Sequence, residues 1–328
     1  MGTIWPMEIS ITQLLQSSGE WLAFPLRLIT FLGNEQFYML VMPALYWCFD
    51  AVLGLRVGIM LLTSGILNST AKLLFKSPRP YWFDPKVVAH SSESSFGMPS
   101  GHAMNSMSVW GLLAASLRKK SVTIVIAILI FLIGLSRIFL GVHFISDVLV
   151  GWALGAILLF VFLRLEKPVS QWVEKQPIGR FALCMFLVSL AVIAVNLLIV
   201  HLNAAWQIPS AWIANAAITD PEGKIDPLSL EGTITNAAVL FGLTTGAVWF
   251  SRKGGFHAGG LWWKRLVRFL VGVSGVLLLW AGLGKLLPDT PNLLGYTLRY
   301  IRYALTGIWI SAGAPWVFLK LNIANKGK

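Results

Sequence analysis

Three short segments of this chain carry side chains suited to handling a phosphate. The first is Lys72, followed after six residues by Arg79 and Pro80. A guanidinium fork bonds two phosphate oxygens at once, and an ammonium adds a point charge. The second is Pro99-Ser100-Gly101-His102. Ser100 supplies a hydroxyl donor, and Gly101 lets backbone approach a ligand closely. A helix starting here aims free N–H groups and a positive dipole end at an anion. His102 can give or take a proton near neutral pH. The third is Ser136-Arg137, then His143, then Asp147. Asp147 lies four residues beyond His143, so on a helix the two side chains share a face. A carboxylate on one ring nitrogen fixes the tautomer and raises the nucleophilicity of the other nitrogen. Arg137 adds a third cation. Each segment also has a structural reading: a snorkelling lysine and an interfacial arginine, an N-cap serine, a helix-start His–Asp pair. Three such coincidences in order, all of types useful to phosphate chemistry, favour the chemical reading.

The elements that must position these residues follow from composition. The chain has 328 residues, 56% hydrophobic and only 12% charged, about half the ~25% charge of a soluble domain. Mean hydropathy is +0.72. A disordered chain, a coiled coil and an ordinary soluble globule are excluded. The expected fold class is all-α, a polytopic membrane helix bundle. Nine helical spans are predicted, at roughly 35–50, 52–74, 102–117, 121–140, 145–164, 179–201, 233–250, 266–287 and 298–319. Residues 8–32 are interrupted by Glu8, Glu20, Pro25 and Arg27. They read as an interfacial amphipathic segment, with a tilted span as the alternative. Met1 to Pro6 lack a basic region and a small-residue cleavage site, so no cleavable leader is expected.

Charge sets the orientation. Basic residues dominate four connections on one side: Arg118, Lys119 and Lys120; the 164–180 connection; the 251–268 stretch; and the tail with Lys320, Lys326 and Lys328. On the other side, the 201–232 loop sets Lys224 against Asp220, Glu222, Asp226 and Glu231. The basic side is expected to be cytoplasmic, with the tail inside. The loops at 76–101 and 138–146, and hence all three segments, then face outward. The net charge of +12 is read as this bias and not as nucleic-acid binding, because no basic stripe carries interleaved aromatics. Cys48 and Cys184 lie in apolar stretches and read as small buried hydrophobes.

The pattern K-x6-R-P, P-S-G-H, S-R-x5-H-x3-D resembles the type 2 phosphatidic-acid phosphatase superfamily, with every motif position matched. That group includes lipid phosphate phosphatases, undecaprenyl diphosphate phosphatases, sphingosine phosphate phosphatases, glucose-6-phosphatases and vanadium haloperoxidases. Residues from Gly33 to Tyr38, and Tyr46-Trp47, look like the sphingosine phosphate phosphatase branch. The resemblance covers about residues 35–165. It implies that His143 attacks phosphorus to form a phosphohistidine, that Asp147 orients His143, and that His102 acts as general acid and base. It implies that Lys72, Arg79, Ser100, Gly101 and Arg137 hold the phosphate oxygens, with no cofactor and no metal.

The organisation expected is an N-terminal interfacial segment at 1–34, a phosphatase core at 35–178, and membrane helices of unassigned role at 179–328. Those last helices could form an oligomer interface, close a lipid path or add transport. The 202–232 loop is expected to hold a short interfacial helix near Ala211–Ala217. Phe75, Tyr81, Trp82, Phe83 and Phe96 either flank an acyl or prenyl chain or anchor at the interface. Arg299 and Arg302 either recruit anionic headgroups or snorkel. The expected partners are a lipid phosphate substrate and membrane lipids, with no nucleic acid. The leading function is an outward-facing membrane phosphatase for a lipid phosphomonoester or diphosphate. A lipid-diphosphate phosphotransferase and a non-hydrolytic lipid phosphate binder or transporter are the alternatives.

Overall fold

A computed structural model of the chain describes residues 4–288 and 290–327. Met1–Thr3, where no leader is expected, and Lys328 of the basic tail lie outside the described residues. Helices stand at Glu35–Cys48, Ala51–Phe75, residues 101–117, Lys120–Phe139, Ile145–Lys175, Ile178–Leu202, Glu231–Ser251, Trp262–Leu286 and residues 293–320. Each predicted apolar stretch therefore forms a helix. The Ile145–Lys175 helix runs well past its apolar part, through Arg164, Glu166 and Lys167 and with Pro168 inside it. Arg, Leu, Glu, Lys and Gln are good helix formers, so the helix continues after hydropathy fails.

The nine predicted stretches differ in length and hydropathy. Among the described residues, six helices are long and apolar enough to cross a membrane by length and composition alone: Ala51–Phe83, Lys120–Phe139, Ile145–Lys175, Ile178–Leu202, Glu231–Ser251 and Trp262–Leu286. The last three of these are followed by the less apolar helix at residues 293–320, which completes the additional C-terminal helices. Glu35–Cys48 has 14 residues, and the 101–117 helix lies at the short end of the ~17–25 residues of a spanning helix. The 293–320 helix is diluted by Gly295, Gly307, Gly313, Arg299 and Arg302. Residues 8–32 fold as Trp5–Gln16 and Ala23–Phe31, with Gly19 between them at φ 113°. Only glycine adopts that backbone without strain. Each of the two helices is too short to cross alone.

The chain divides into two compact units. The first comprises Met1–Phe37, Leu67–Phe162 and Asn196–Ser229. Its core joins Ile9, Leu26, Tyr81, Trp82, Phe96, Phe139, Val142 and Phe144. Tyr81, Trp82 and Phe96 are fully buried there, so they neither line a lipid path nor anchor at an interface; Phe75 and Phe83 remain exposed. The 196–229 segment contains a helix at Ser210–Thr219, where a short helix is expected. It packs on the Pro80–Phe83 turn, with Asn215 Nδ2 donating to Trp82 O at 2.9 Å.

The second unit comprises Tyr38–Ile66, Leu163–Val195 and Leu230–Lys328. Its centre is the Glu231–Ser251 helix against the 293–320 helix. The contact uses Gly242-Leu-Thr-Thr-Gly246, two glycines four apart that let backbones approach. A Cβ at Gly242 would fall 2.0 Å from Ala304 O. Trp47 is buried among Gly272 and Phe318 and donates to Ile310 O at 2.8 Å. Arg56 pairs with Glu166 at 2.6 Å. Arg299 pairs with Glu231 at 2.7 Å and Arg302 is buried, so neither snorkels nor stands ready for headgroups. Cys48 is buried and Cys184 partly so, both as free thiols. A two-residue antiparallel ladder, Phe256–His257 with Asn325–Lys326, interrupts the all-α pattern.

Candidate active site

All three phosphate-suited segments lie in the first unit, and the fold gathers them. Lys72 ends the Ala51–Phe75 helix and donates to Ser95 Oγ at 2.7 Å. Arg79 sits in extended backbone before Pro80, as the residue before proline prefers. It is fully buried. Its guanidinium donates to Ser95 O at 2.7 Å, Val142 O at 2.9 Å and Phe96 O at 3.2 Å. Three carbonyls thus fix the fork in one orientation. Arg79 Nη1 then stands 3.3 Å from His143 Nε2.

His143 lies in the turn between the Lys120–Phe139 and Ile145–Lys175 helices. Its Nδ1 is 3.2 Å from Asp147 Oδ2, which also accepts from Phe144 N at 2.9 Å. A proton on Nδ1 completes the bond to Asp147 and leaves the Nε2 lone pair beside Arg79. Burial, and then Arg79 and Arg137, hold the His143 imidazole well below the usual histidine range. That environment favours the neutral ring. Asp147 is held from two further sides. Its backbone oxygen accepts from Ser100 N at 2.9 Å, and Gly97 passes so close that a Cβ there would fall 2.9 Å from Oδ2.

Ser100 is the N-cap of the helix that starts at Gly101, its hydroxyl accepting from Ala103 N at 3.5 Å. The cap uses a lone pair, so the O–H remains a donor. His102 is bonded through Nε2 to Asn34 Oδ1. Arg137, at the end of the Lys120–Phe139 helix, donates to Thr30 Oγ1 at 3.2 Å, and its buried Nε has no hydrogen-bond partner.

Four contributors escape the sequence reading. Glu93 bridges two cations: its Oε1 meets Arg137 Nη2 at 2.5 Å and its Oε2 lies 3.8 Å from Arg79 Nη2. Burial alone would raise this carboxyl, but Arg79 and Arg137 outweigh that and hold it down at about 2. The available signal was that Glu93 is the single acid between Asp84 and Asp147. Ser95 ties Lys72 to Arg79, also accepting from Arg79 Nη2 at 3.2 Å. Asn34 holds His102. Glu8, which looked like an interruption, accepts from Ser146 N at 2.9 Å and Ser146 Oγ at 3.0 Å. A carboxylate there complements the helix N-terminus next to Asp147. Among the described residues, no group of three His, Cys, Asp or Glu side chains is placed to hold a metal ion.

Comparison with known proteins bears on this cluster. The family model "PAP2 superfamily" matches residues 53–170. A second model, "PAP2 superfamily phosphatase, transmembrane extension", matches residues 234–326. Phosphatidylglycerophosphatase B of Bacillus subtilis is 32% identical over 168 residues, 47% of this chain and 80% of that protein. Sphingosine-1-phosphate phosphatase 1 of Rattus norvegicus is 28% identical over 151 residues, covering 44% of this chain but only 35% of its own length. Glucose-6-phosphatase 3 of Bos taurus is 24% identical over 342 residues, 94% of this chain and 93% of its own.

Proposed function

The chain belongs to the PAP2 superfamily of phosphatases, and from that premise we propose that it hydrolyses a lipid phosphomonoester or lipid diphosphate through a phosphohistidine, without a metal ion. The observation that carries the reading is the placement of His143, with Nδ1 on Asp147 and Nε2 on Arg79. Nε2 attacks phosphorus, and the bond from phosphorus to the leaving oxygen breaks. His102 gives that oxygen a proton. His102 then takes a proton from water, whose oxygen attacks the phosphohistidine and releases inorganic phosphate. Lys72, Arg79 and Arg137, with the Ser100 hydroxyl and the Gly101 backbone N–H, neutralise the equatorial oxygens. Phosphoryl transfer depends chiefly on such positioning and charge, and each charge-assisted bond contributes roughly 1.5–3 kcal/mol. The 35–178 region serves as the phosphatase core. The basic connections favour an active site on the extracytoplasmic face with the tail inside.

The substrate class is supported by the Bacillus relative, whose name specifies a phosphatidylglycerophosphate. One observation favours a second reading, a water-soluble phosphate ester. The bovine glucose-6-phosphatase aligns along nearly the whole chain, including the helices beyond residue 178. The deciding experiment is phosphate release by purified protein in EDTA. The panel is phosphatidic acid, phosphatidylglycerol phosphate, a sphingoid base phosphate, undecaprenyl diphosphate and glucose 6-phosphate, beside a His143→Ala variant. Release from a lipid by the wild type alone is expected, with the variant slower by about 10⁴-fold or more. Release from glucose 6-phosphate alone would select the second reading. Equal release by the variant would end the phosphohistidine mechanism.

A further inference from the structure

Glu93 stands where an anion would be bound. It contacts two of the three cations that the phosphate reading assigns to substrate, one through each carboxylate oxygen. Phosphate and this carboxylate cannot both occupy Arg137 Nη2 without strong repulsion. The residue sits in irregular backbone between Phe83 and Gly101, and 30% of its side chain is exposed, so the carboxylate has a route out. Its backbone is held at both ends of the peptide by one phenol: Glu93 N donates to Tyr81 OH at 2.9 Å, and Tyr81 OH donates to Glu93 O at 3.2 Å. Its two neighbours are tied to the 202–229 segment. Ser92 Oγ donates to Asp220 Oδ2 at 2.7 Å, and Asp226 N donates to Ser94 O at 3.0 Å. Nothing in the proposed chemical steps requires these ties.

We propose that Glu93 is an internal ligand of the anion site, a carboxylate that substrate phosphate must displace, and that the 202–229 segment holds the loop from which it acts. The idea rests on the phosphate-site reading above. Its low pKa follows from the same cations and keeps it an anion throughout the working pH range. Empty, the site has part of its positive charge offset by its own chain, through the carboxylate shared by Arg79 and Arg137. Filled, it exchanges one anion for another. The apparent affinity for phosphate is then lowered by the fraction of time that Glu93 is in place. A merely structural Glu93, a permanent counter-ion, predicts the opposite: removing it should loosen the arginines and weaken anion binding.

Hydrogen exchange on the purified full chain separates the two, with inorganic phosphate as the probe. In the wild type, phosphate should increase exchange across residues 90–96, because the loop is released as the site fills. Glu93→Gln should show raised exchange without phosphate and bind phosphate roughly tenfold tighter. Phosphate binding accompanied by protection of residues 90–96 would overturn the proposal, as would unchanged or weaker binding by Glu93→Gln. If that variant does not fold, the wild-type exchange result decides alone. Failure of phosphate to bind either protein would overturn the phosphate-site reading itself, and this inference with it.

Discussion

Both units of the molecule bury arginines, yet only one of them makes a candidate site. In the second unit, Arg268 is fully buried and donates to His257 O at 3.1 Å and Gly259 O at 2.9 Å. In the first, Arg79 is equally buried and also bonded to backbone carbonyls. The difference lies in what else arrives. Around Arg79 converge an imidazole nitrogen, a carboxylate and a serine that also holds Lys72. Around Arg268 the side-chain neighbours are Cys48 and Arg265, which offer no nucleophile with an oriented base. Burial of a cation inside an apolar bundle therefore signals structure as readily as chemistry. Convergence of unlike groups is the discriminating feature.

The comparison can be broken by substitution. Arg79→Lys keeps the charge but loses the fork that three carbonyls accept from, so the thermal midpoint should fall and kcat/KM per folded molecule should drop by about 10²–10³-fold. A loss in kcat/KM under threefold would mean that Arg79, like Arg268, is structural. Arg268→Met should lower the midpoint alone. Leaving two carbonyls without donors costs ~1–3 kcal/mol, visible as a lower midpoint, while kcat per folded molecule stays within about twofold of the wild type. A large drop in kcat at full stability would give the second unit a catalytic part.

The smallest effect concerns pH. Glu93 has its carboxyl depressed to about 2 in the folded protein, against 4.5 ordinarily. A depressed carboxyl stabilises above its unfolded value, and that stabilisation fades as pH falls toward the folded value. The wild type should therefore exceed Glu93→Gln in thermal midpoint by a constant margin from pH 7 to 5. The margin should close progressively below pH 4.5. A margin that closes already between pH 7 and 5 would show that another group, not Glu93, neutralises Arg79 and Arg137.

The legible part of the molecule was what local sequence encodes. Hydropathy gave each long helix, because an apolar run of sufficient length has few other solutions in a bilayer. The motifs were legible because donors, bases and orienters of one reaction sit within a few residues of each other, as Arg137, His143 and Asp147 do. Glu93, Asn34 and Glu8 were not, since their relation to the site exists only after folding. Asn34 lies 68 residues from His102 in sequence and Glu8 lies 138 from Ser146. The aromatic residues near Arg79 were misread for a related reason. Composition marks Tyr81, Trp82 and Phe96 as membrane-facing, and only the 196–229 segment, packed on the Pro80–Phe83 turn from far along the chain, makes them core.

The bond from Glu8 to Ser146 also sets an order of events at the ribosome. At the usual 5–20 residues per second, the carboxylate waits roughly 7–28 seconds for its partner to be made. Throughout that time the first helix has no Ile145–Lys175 helix to cap. The segment that follows residue 196, which braces the loop carrying Glu93, emerges later again. The nascent chain therefore makes most of its first unit before the surroundings of His143 are complete, and those surroundings close only once the segment ending at Ser229 has emerged.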